Sequence, residues 1–121
     1  MILIVDDHED TRLMYVEYLT YAGYRVEEAT TGAEALVMAK VRKPALIVMD
    51  LTMPDIDGWE ATRRLKADKR TASILVLVCS GRVLGDAEDQ ARQAGADAFL
   101  SKPCLPEDLA KKIADMLASR A

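Results

Sequence analysis

Apolar residues recur along this chain in two rhythms. Four short runs, Ile2–Val5, Ala45–Met49, Ile74–Cys79 and Ala98–Leu100, are nearly unbroken, the pattern of strands covered on both faces. A fifth segment, Arg25–Ala29, alternates apolar and polar residues and reads as a strand at a sheet edge. Between these runs the period lengthens to that of a helix. Thr11, Met14, Tyr15, Tyr18, Leu19 and Ala22 fall at i, i+3, i+4, i+7, i+8 and i+11, the inward face of a first helix that Gly23 stops. Thr31 and Glu34 are spaced as a capping box for a second helix that ends near Pro44. A third starts after Gly58, with Trp59, Thr62 and Leu65 facing inward. Asp86 is placed to cap a fourth, which Gly95 closes and whose buried face is Ala87, Ala91 and Ala94. Pro106 and Glu107 suit the first turn of a fifth, with Leu109, Ile113, Met116 and Leu117 as its apolar stripe.

Strict alternation of strand and helix with short connections predicts an α/β fold. Right-handed crossovers leave few arrangements other than a doubly wound, five-stranded parallel sheet with helices on both faces. With 121 residues, half of them apolar, and no linker, repeat or low-complexity segment, the chain reads as one domain over residues 1–121. The only apolar run near the start is too short for a secretory or membrane-spanning segment, so a cytoplasmic protein without a membrane association is expected. A net charge of −4, with Lys and Arg scattered, argues against direct nucleic-acid binding. Cys79 and Cys104 have neither CxxC spacing nor a histidine partner and read as free thiols, Cys79 in the core.

In such sheets, functional groups gather beyond the carboxyl ends of the strands. Here strand one ends on Asp6 and Asp7, strand three on Asp50 and strand four on Ser80, while strand five runs into Lys102. Three carboxylates at one edge repel one another unless a hard cation sits among them. Magnesium suits such a site, because it takes one or two carboxylates and keeps positions open for a phosphoryl oxygen. The Ser80 hydroxyl and Lys102 ammonium would complete a cradle for a tetrahedral dianion, which would belong on Asp50. His8, the only histidine, follows the acidic pair in a loop and reads as a solvated residue rather than a ligand or phosphodonor. Trp59 reads as a packing residue. Met53 and Pro54 shape the turn after Asp50, with Gly58 allowing a conformation or a close approach that a side chain would block.

The stretches "VDDHED", "VMDLTMPDIDG", "VCSG" and "AFLSKP", in that order at strand ends, resemble the signature of the response-regulator receiver domain of two-component signalling, of the stand-alone chemotaxis type. The resemblance covers essentially the whole chain and implies a flavodoxin-like fold with strand order 2-1-3-4-5. It implies that Asp50 is the phosphoacceptor, that Asp7, Asp50 and the Thr52 backbone carbonyl bind Mg2+ directly, and that Asp6 holds the ion through water. Lys102 matches the phosphate-binding lysine, Ser80 the hydroxyl residue that follows the phosphoryl group, and Phe99 the switching aromatic of strand five. Pro103 matches a proline usually preceded by a cis peptide. Thr52 and Arg82 flank the path of the attacking water, and Arg82 is placed to shield the phosphoryl group. The chain departs from the commonest pattern in having Ser80 where Thr is frequent, Gly81 where Ala is frequent, and Phe99 where many relatives have Tyr. Gly81 should open the pocket, and Phe99 cannot be held inward by a phenolic hydrogen bond.

The implied function is a phosphorylation-dependent switch. A histidine kinase or phosphotransfer protein gives a phosphoryl group to Asp50, the surface formed by helix four, strand five and helix five changes, and the phosphate is later lost to water. Exposed Val83 and Leu84 would form part of that surface, and Gly81 and Gly85 loosen the segment leading to helix four. The domain assists its own phosphorylation and dephosphorylation and is not an enzyme in the turnover sense. The recipient is a downstream protein or a missing output domain, since the chain carries none after helix five. Two alternatives are a phosphorylation-independent, receiver-like interaction module and a magnesium-dependent aspartyl-phosphate phosphatase. The latter is expected to carry its DxD pattern on the first strand, and the former to lack part of the cradle.

Overall fold

Each apolar run forms a strand that feeds two cores, because successive side chains of a strand point to opposite faces. The computed structural model describes residues 1–81, 87–102 and 104–120. Strands β1 (Ile2–Val5), β2 (Val26–Ala29), β3 (Leu46–Asp50), β4 (Leu75–Ser80) and β5 (Ala98–Ser101) alternate with helices α1 (Glu9–Tyr21), α2 (Gly32–Arg42), α3 (Gly58–Ala67), α4 (Ala87–Gln93) and α5 (Pro106–Arg120). The strands are parallel in the order β2-β1-β3-β4-β5, the flavodoxin-like doubly wound arrangement that the alternation and the resemblance predict. Ile2, Ile4, Leu46, Val48, Leu77 and Cys79 face one side and pack with Tyr15 and Leu19 of α1 and Leu109 and Ile113 of α5. Leu3, Val5, Ile47, Met49, Val76 and Val78 face the other and pack with Ala35 and Ala39 of α2 and Ala61 and Leu65 of α3. The alternating Val26–Ala29 segment lies at the sheet edge, as expected.

The helix ends follow from local chemistry. Gly23, with φ of 101°, lies just past α1, and its N–H bonds to Thr20 O. Thr31 Oγ1 accepts from Glu34 N at 3.1 Å, but the Glu34 carboxylate reaches back to Thr30 N at 3.2 Å, one residue earlier than a capping box requires. Trp59, Thr62 and Leu65 of α3 pack inward or are buried. One expectation is corrected in α1: Tyr15 and Leu19 are buried, but Met14 is 43% exposed and Ala22 is exposed. α1 lies over β1 and β2 with α5 beside it, so only a narrow stripe of its surface meets the core. Strands β3, β4 and β5 each run one residue further toward the C-terminus than the apolar runs suggest.

Arg82, Val83, Leu84, Gly85, Asp86 and Pro103 lie outside the described residues, as do the side chains of Ser80, Ala87 and Ala91. The expected Asp86 cap and Val83–Leu84 surface therefore fall outside them too. Ala94 is buried, and the Gly95 N–H bonds to Arg92 O beyond the end of α4. Among the described residues, no helix is long and apolar enough to cross a membrane.

Candidate functional site

The parallel register builds the site. Val5 of β1 pairs with Met49 of β3, so Asp6 comes level with Asp50, and both share the side parity of Ile4 and Val48. Both acids are buried, at 3% and 6% exposure. Ser101 of β5 pairs with Ser80 of β4, and the next residue, Lys102, reaches back across the strand ends. Its Nζ lies 3.0 Å from Asp6 Oδ2 and 3.7 Å from Asp50 Oδ1. Asp7 lies at the exposed mouth of the pocket. One ligand atom from each of Asp6, Asp7, His8 and Asp50 lies within 4.8 Å of the others.

Burial pushes the Asp50 carboxyl above its ordinary pKa. Lys102 opposes that shift, Asp6 and Asp7 add to it, and the Thr52 N–H, donating to the carboxylate, pulls it back. Burial alone would lower Lys102, but Asp50 and the hydrogen bond to Asp6 outweigh it and raise the ammonium above its usual value. One ammonium cannot neutralise three carboxylates, so the pocket keeps an excess of negative charge. An oxygen-rich, anionic pocket with two buried members fits a hard divalent cation.

The surrounding backbone holds these groups in place. Asp6 Oδ1 accepts from His8 N at 2.8 Å, and Arg12 Nη1 donates to Asp6 O at 3.1 Å while its Nε pairs with Glu28 at 2.7 Å. Gly58 is needed for close approach: a Cβ there would lie 2.4 Å from Asp50 O and 2.9 Å from Leu51 Cα. Asp55 is a supporting residue that the motif reading missed. Its two oxygens accept from Gly32 N at 2.9 Å and Ala33 N at 2.7 Å, tying the loop after Asp50 to the first turn of α2. Those donors, Ala33 first, hold the Asp55 carboxyl below its usual range. Asp57, two residues on, caps α3 by accepting from Glu60 N at 2.8 Å. The run "PDIDG" thus carries two caps for two helices, and its density of Asp was the available signal.

Asp6, Asp7, Asp50 and Lys102 come together as the strand ends predict. Ser80 closes β4 at the same edge, while Arg82 and Pro103 lie outside the described residues. Thr52 is exposed two residues beyond Asp50. Phe99 is half-buried against the α2–α3 core, opposite Val78. Among the described residues, a Cβ at Gly81 would meet Lys102 Cβ at 3.8 Å, an ordinary contact. Cys79 is buried in the core, where burial pushes its thiol up to about 12, and both cysteines are free. His8 is exposed as expected, with 69% of its side chain accessible, yet its Nδ1 lies 3.2 Å from Asp7 Oδ1 and 3.5 Å from Asp6 Oδ1.

The family model described as the response regulator receiver domain matches residues 2–114. The polar-differentiation response regulator DivK of Brucella ovis is 32% identical over 102 residues, which is 84% of this chain and 83% of that protein. The chemotaxis response regulator CheY4 of Vibrio cholerae superposes with a TM-score of 0.88 at 30% identity, covering 94% of this chain and 95% of that one. A CheY-like receiver domain protein from Methanospirillum hungatei gives a TM-score of 0.90 at 30% identity, covering 98% and 93%.

Proposed function

The chain belongs to the response regulator receiver domain family, phosphorylation-dependent switches of two-component signalling, and from that premise we propose that Asp50 is its magnesium-dependent phosphoacceptor. The observation that carries the proposal is a carboxylate 6% exposed at the end of β3, with the Lys102 ammonium 3.7 Å away and two further acids beside it. Asp7, Asp50 and the Thr52 backbone carbonyl would hold Mg2+, with Asp6 acting through water. When bound, the ion supplies the positive charge that lets a dianion approach an acidic pocket.

The donor is a phosphohistidine of a histidine kinase or phosphotransfer protein. An Asp50 oxygen attacks phosphorus while the P–N bond breaks, the imidazole leaving with the electron pair and taking up a proton. Burial makes the Asp50 oxygen a better base than an exposed carboxylate, and Lys102 neutralises charge on a phosphoryl oxygen in the transition state. The Ser80 hydroxyl then donates to the phosphoryl group, and Phe99 turns into the space that Ser80 vacates. The face formed by α4, β5 and α5 is thereby changed for a downstream target. Water later cleaves the acyl phosphate and restores the carboxylate, with Thr52 and Arg82 flanking its path. Residues 1–121 act as one such module, which assists these steps without turnover of a separate substrate.

The test is labelling by acetyl phosphate, followed by intact-mass analysis. Wild type is expected to gain one phosphoryl group with magnesium and none in chelator, and Asp50→Asn to gain none in either. A phosphoryl group of equal yield on Asp50→Asn would refute the assignment.

A further inference from the structure

We propose that His8 adds a nitrogen ligand to the acidic pocket, so that the pocket also takes a borderline divalent transition cation such as Ni2+ or Zn2+ and binds it more tightly than Mg2+. The inference rests on the reading of Asp7 and Asp50 as metal ligands.

Helix geometry does not account for where the imidazole points. His8 is the N-cap of α1, a position where a Ser, Thr, Asp or Asn side chain would turn onto the free N–H groups of the first turn, and its side chain makes no such bond. The ring instead places Nδ1 beside Asp7 and Asp6. The His8 backbone is fixed by its N–H donating to Asp6 Oδ1 at 2.8 Å, and its exposed ring lies beside both acids.

The spacing suits one ion. Donor atoms around an octahedral cation with bonds of about 2.1 Å are about 3 Å apart when adjacent and about 4 Å apart when opposite. The ligand atoms of Asp6, Asp7, His8 and Asp50 lie within 4.8 Å of one another, so closure requires only small side-chain movements. Asp6 Oδ2 is already engaged by Lys102, which leaves Asp7, Asp50 and His8 as the direct set: two oxygens and one nitrogen. Carboxylates alone favour Mg2+, Ca2+ and Mn2+, whereas an imidazole favours Ni2+, Cu2+ and Zn2+, and affinity rises along the first transition row.

The test uses the whole chain with the metal ions themselves. By titration calorimetry, Ni2+ is expected to bind wild type at least about tenfold more tightly than Mg2+. His8→Gln should lose about tenfold or more of the Ni2+ affinity while keeping that for Mg2+. Asp50→Asn should weaken both. Because His8 is the only histidine, its ring 15N resonances give a direct readout, expected to shift with one equivalent of Zn2+ and not with Mg2+. Unchanged Ni2+ affinity in His8→Gln, unshifted ring nitrogens, or Ni2+ binding that survives Asp50→Asn would each overturn the inference while Mg2+ binding stands. Absence of Mg2+ binding to wild type would instead overturn the metal-site reading, and this inference with it.

Discussion

Replacing Asp50 by Asn keeps the shape of the side chain and removes one carboxylate from a pocket in which three surround one ammonium. The substitution gives up the attraction to Lys102 at 3.7 Å and relieves the repulsion from Asp6 and Asp7, whose nearest ligand atoms are no farther than 4.8 Å. With an effective dielectric of about 20, the lost attraction is about 4.5 kcal/mol and each relieved repulsion about 3.5 kcal/mol. The balance favours Asn by about 2.5 kcal/mol. Asp7 has 31% of its side chain exposed, so solvent screens its share, while relief from burying a charge acts in the opposite direction. A gain of about 1–3 kcal/mol is expected for the metal-free protein, or about 3–10 °C in Tm for a domain of this size.

The pH dependence gives an independent check on sign. Burial raises the Asp50 carboxyl above its unfolded value, so the native state prefers the protonated form. That contribution is fully present below the unfolded carboxyl pKa and is lost as pH rises through the raised one. The advantage of Asn should therefore be full above the raised pKa and shrink as the solution is acidified through it. Millimolar Mg2+ should stabilise wild type more than Asp50→Asn and close the gap. Urea unfolding followed by circular dichroism, in chelator and in Mg2+, measures all three effects. If Asp50→Asn in chelator is no more stable than wild type with an unchanged m value, the charge-excess reasoning fails.

Two further substitutions test the frame that holds the site. Gly58→Ala would drive a methyl group against Asp50 O and Leu51 Cα, backbone atoms that cannot swing aside, and should cost about 2 kcal/mol or more in urea unfolding; a cost below about 0.5 kcal/mol would show that the loop yields freely. Lys43 ends α2 in the left-handed region, at φ of 47°, so Lys43→Gly should stabilise by about 0.5–1 kcal/mol, and a loss of stability in the same measurement would contradict this.

The fold was readable because burial on both faces leaves an unbroken apolar run that little else explains. Ile2–Val5 matches its strand residue for residue, and the runs of β3, β4 and the partly exposed edge strand β5 stop one residue short of their C-terminal ends, where Asp50, Ser80 and Ser101 are polar but still paired in the sheet. A hydrophobic pattern cannot mark a strand end that carries a functional polar group. The helices were less readable where packing is one-sided. Met14 lies at the spacing of the α1 stripe yet faces solvent, because the width of a buried stripe is set by the neighbouring elements and not by the helix's own sequence.

The site divides along the same physical line. Asp6, Asp50 and Lys102 could be brought together from sequence alone, since parallel strands joined by one-handed crossovers send every carboxyl end to one edge and the two-residue pleat decides which side chains share a face. No comparable period governs a loop. Whether His8 caps its helix or turns to the acids, and whether Asp55 is solvated or seated on α2, depends on a few dihedral angles and on hydrogen bonds made after the loop is placed. The receiver resemblance assigns roles to residues at and just beyond the strand ends but none to His8 and Asp55, which lie on the adjoining loops, where side chains can vary without disturbing the sheet. The individual properties of this receiver, its cation preference and the coupling of its phosphoacceptor loop to α2, should accordingly be sought in those two loops rather than in the strands that position the chemistry.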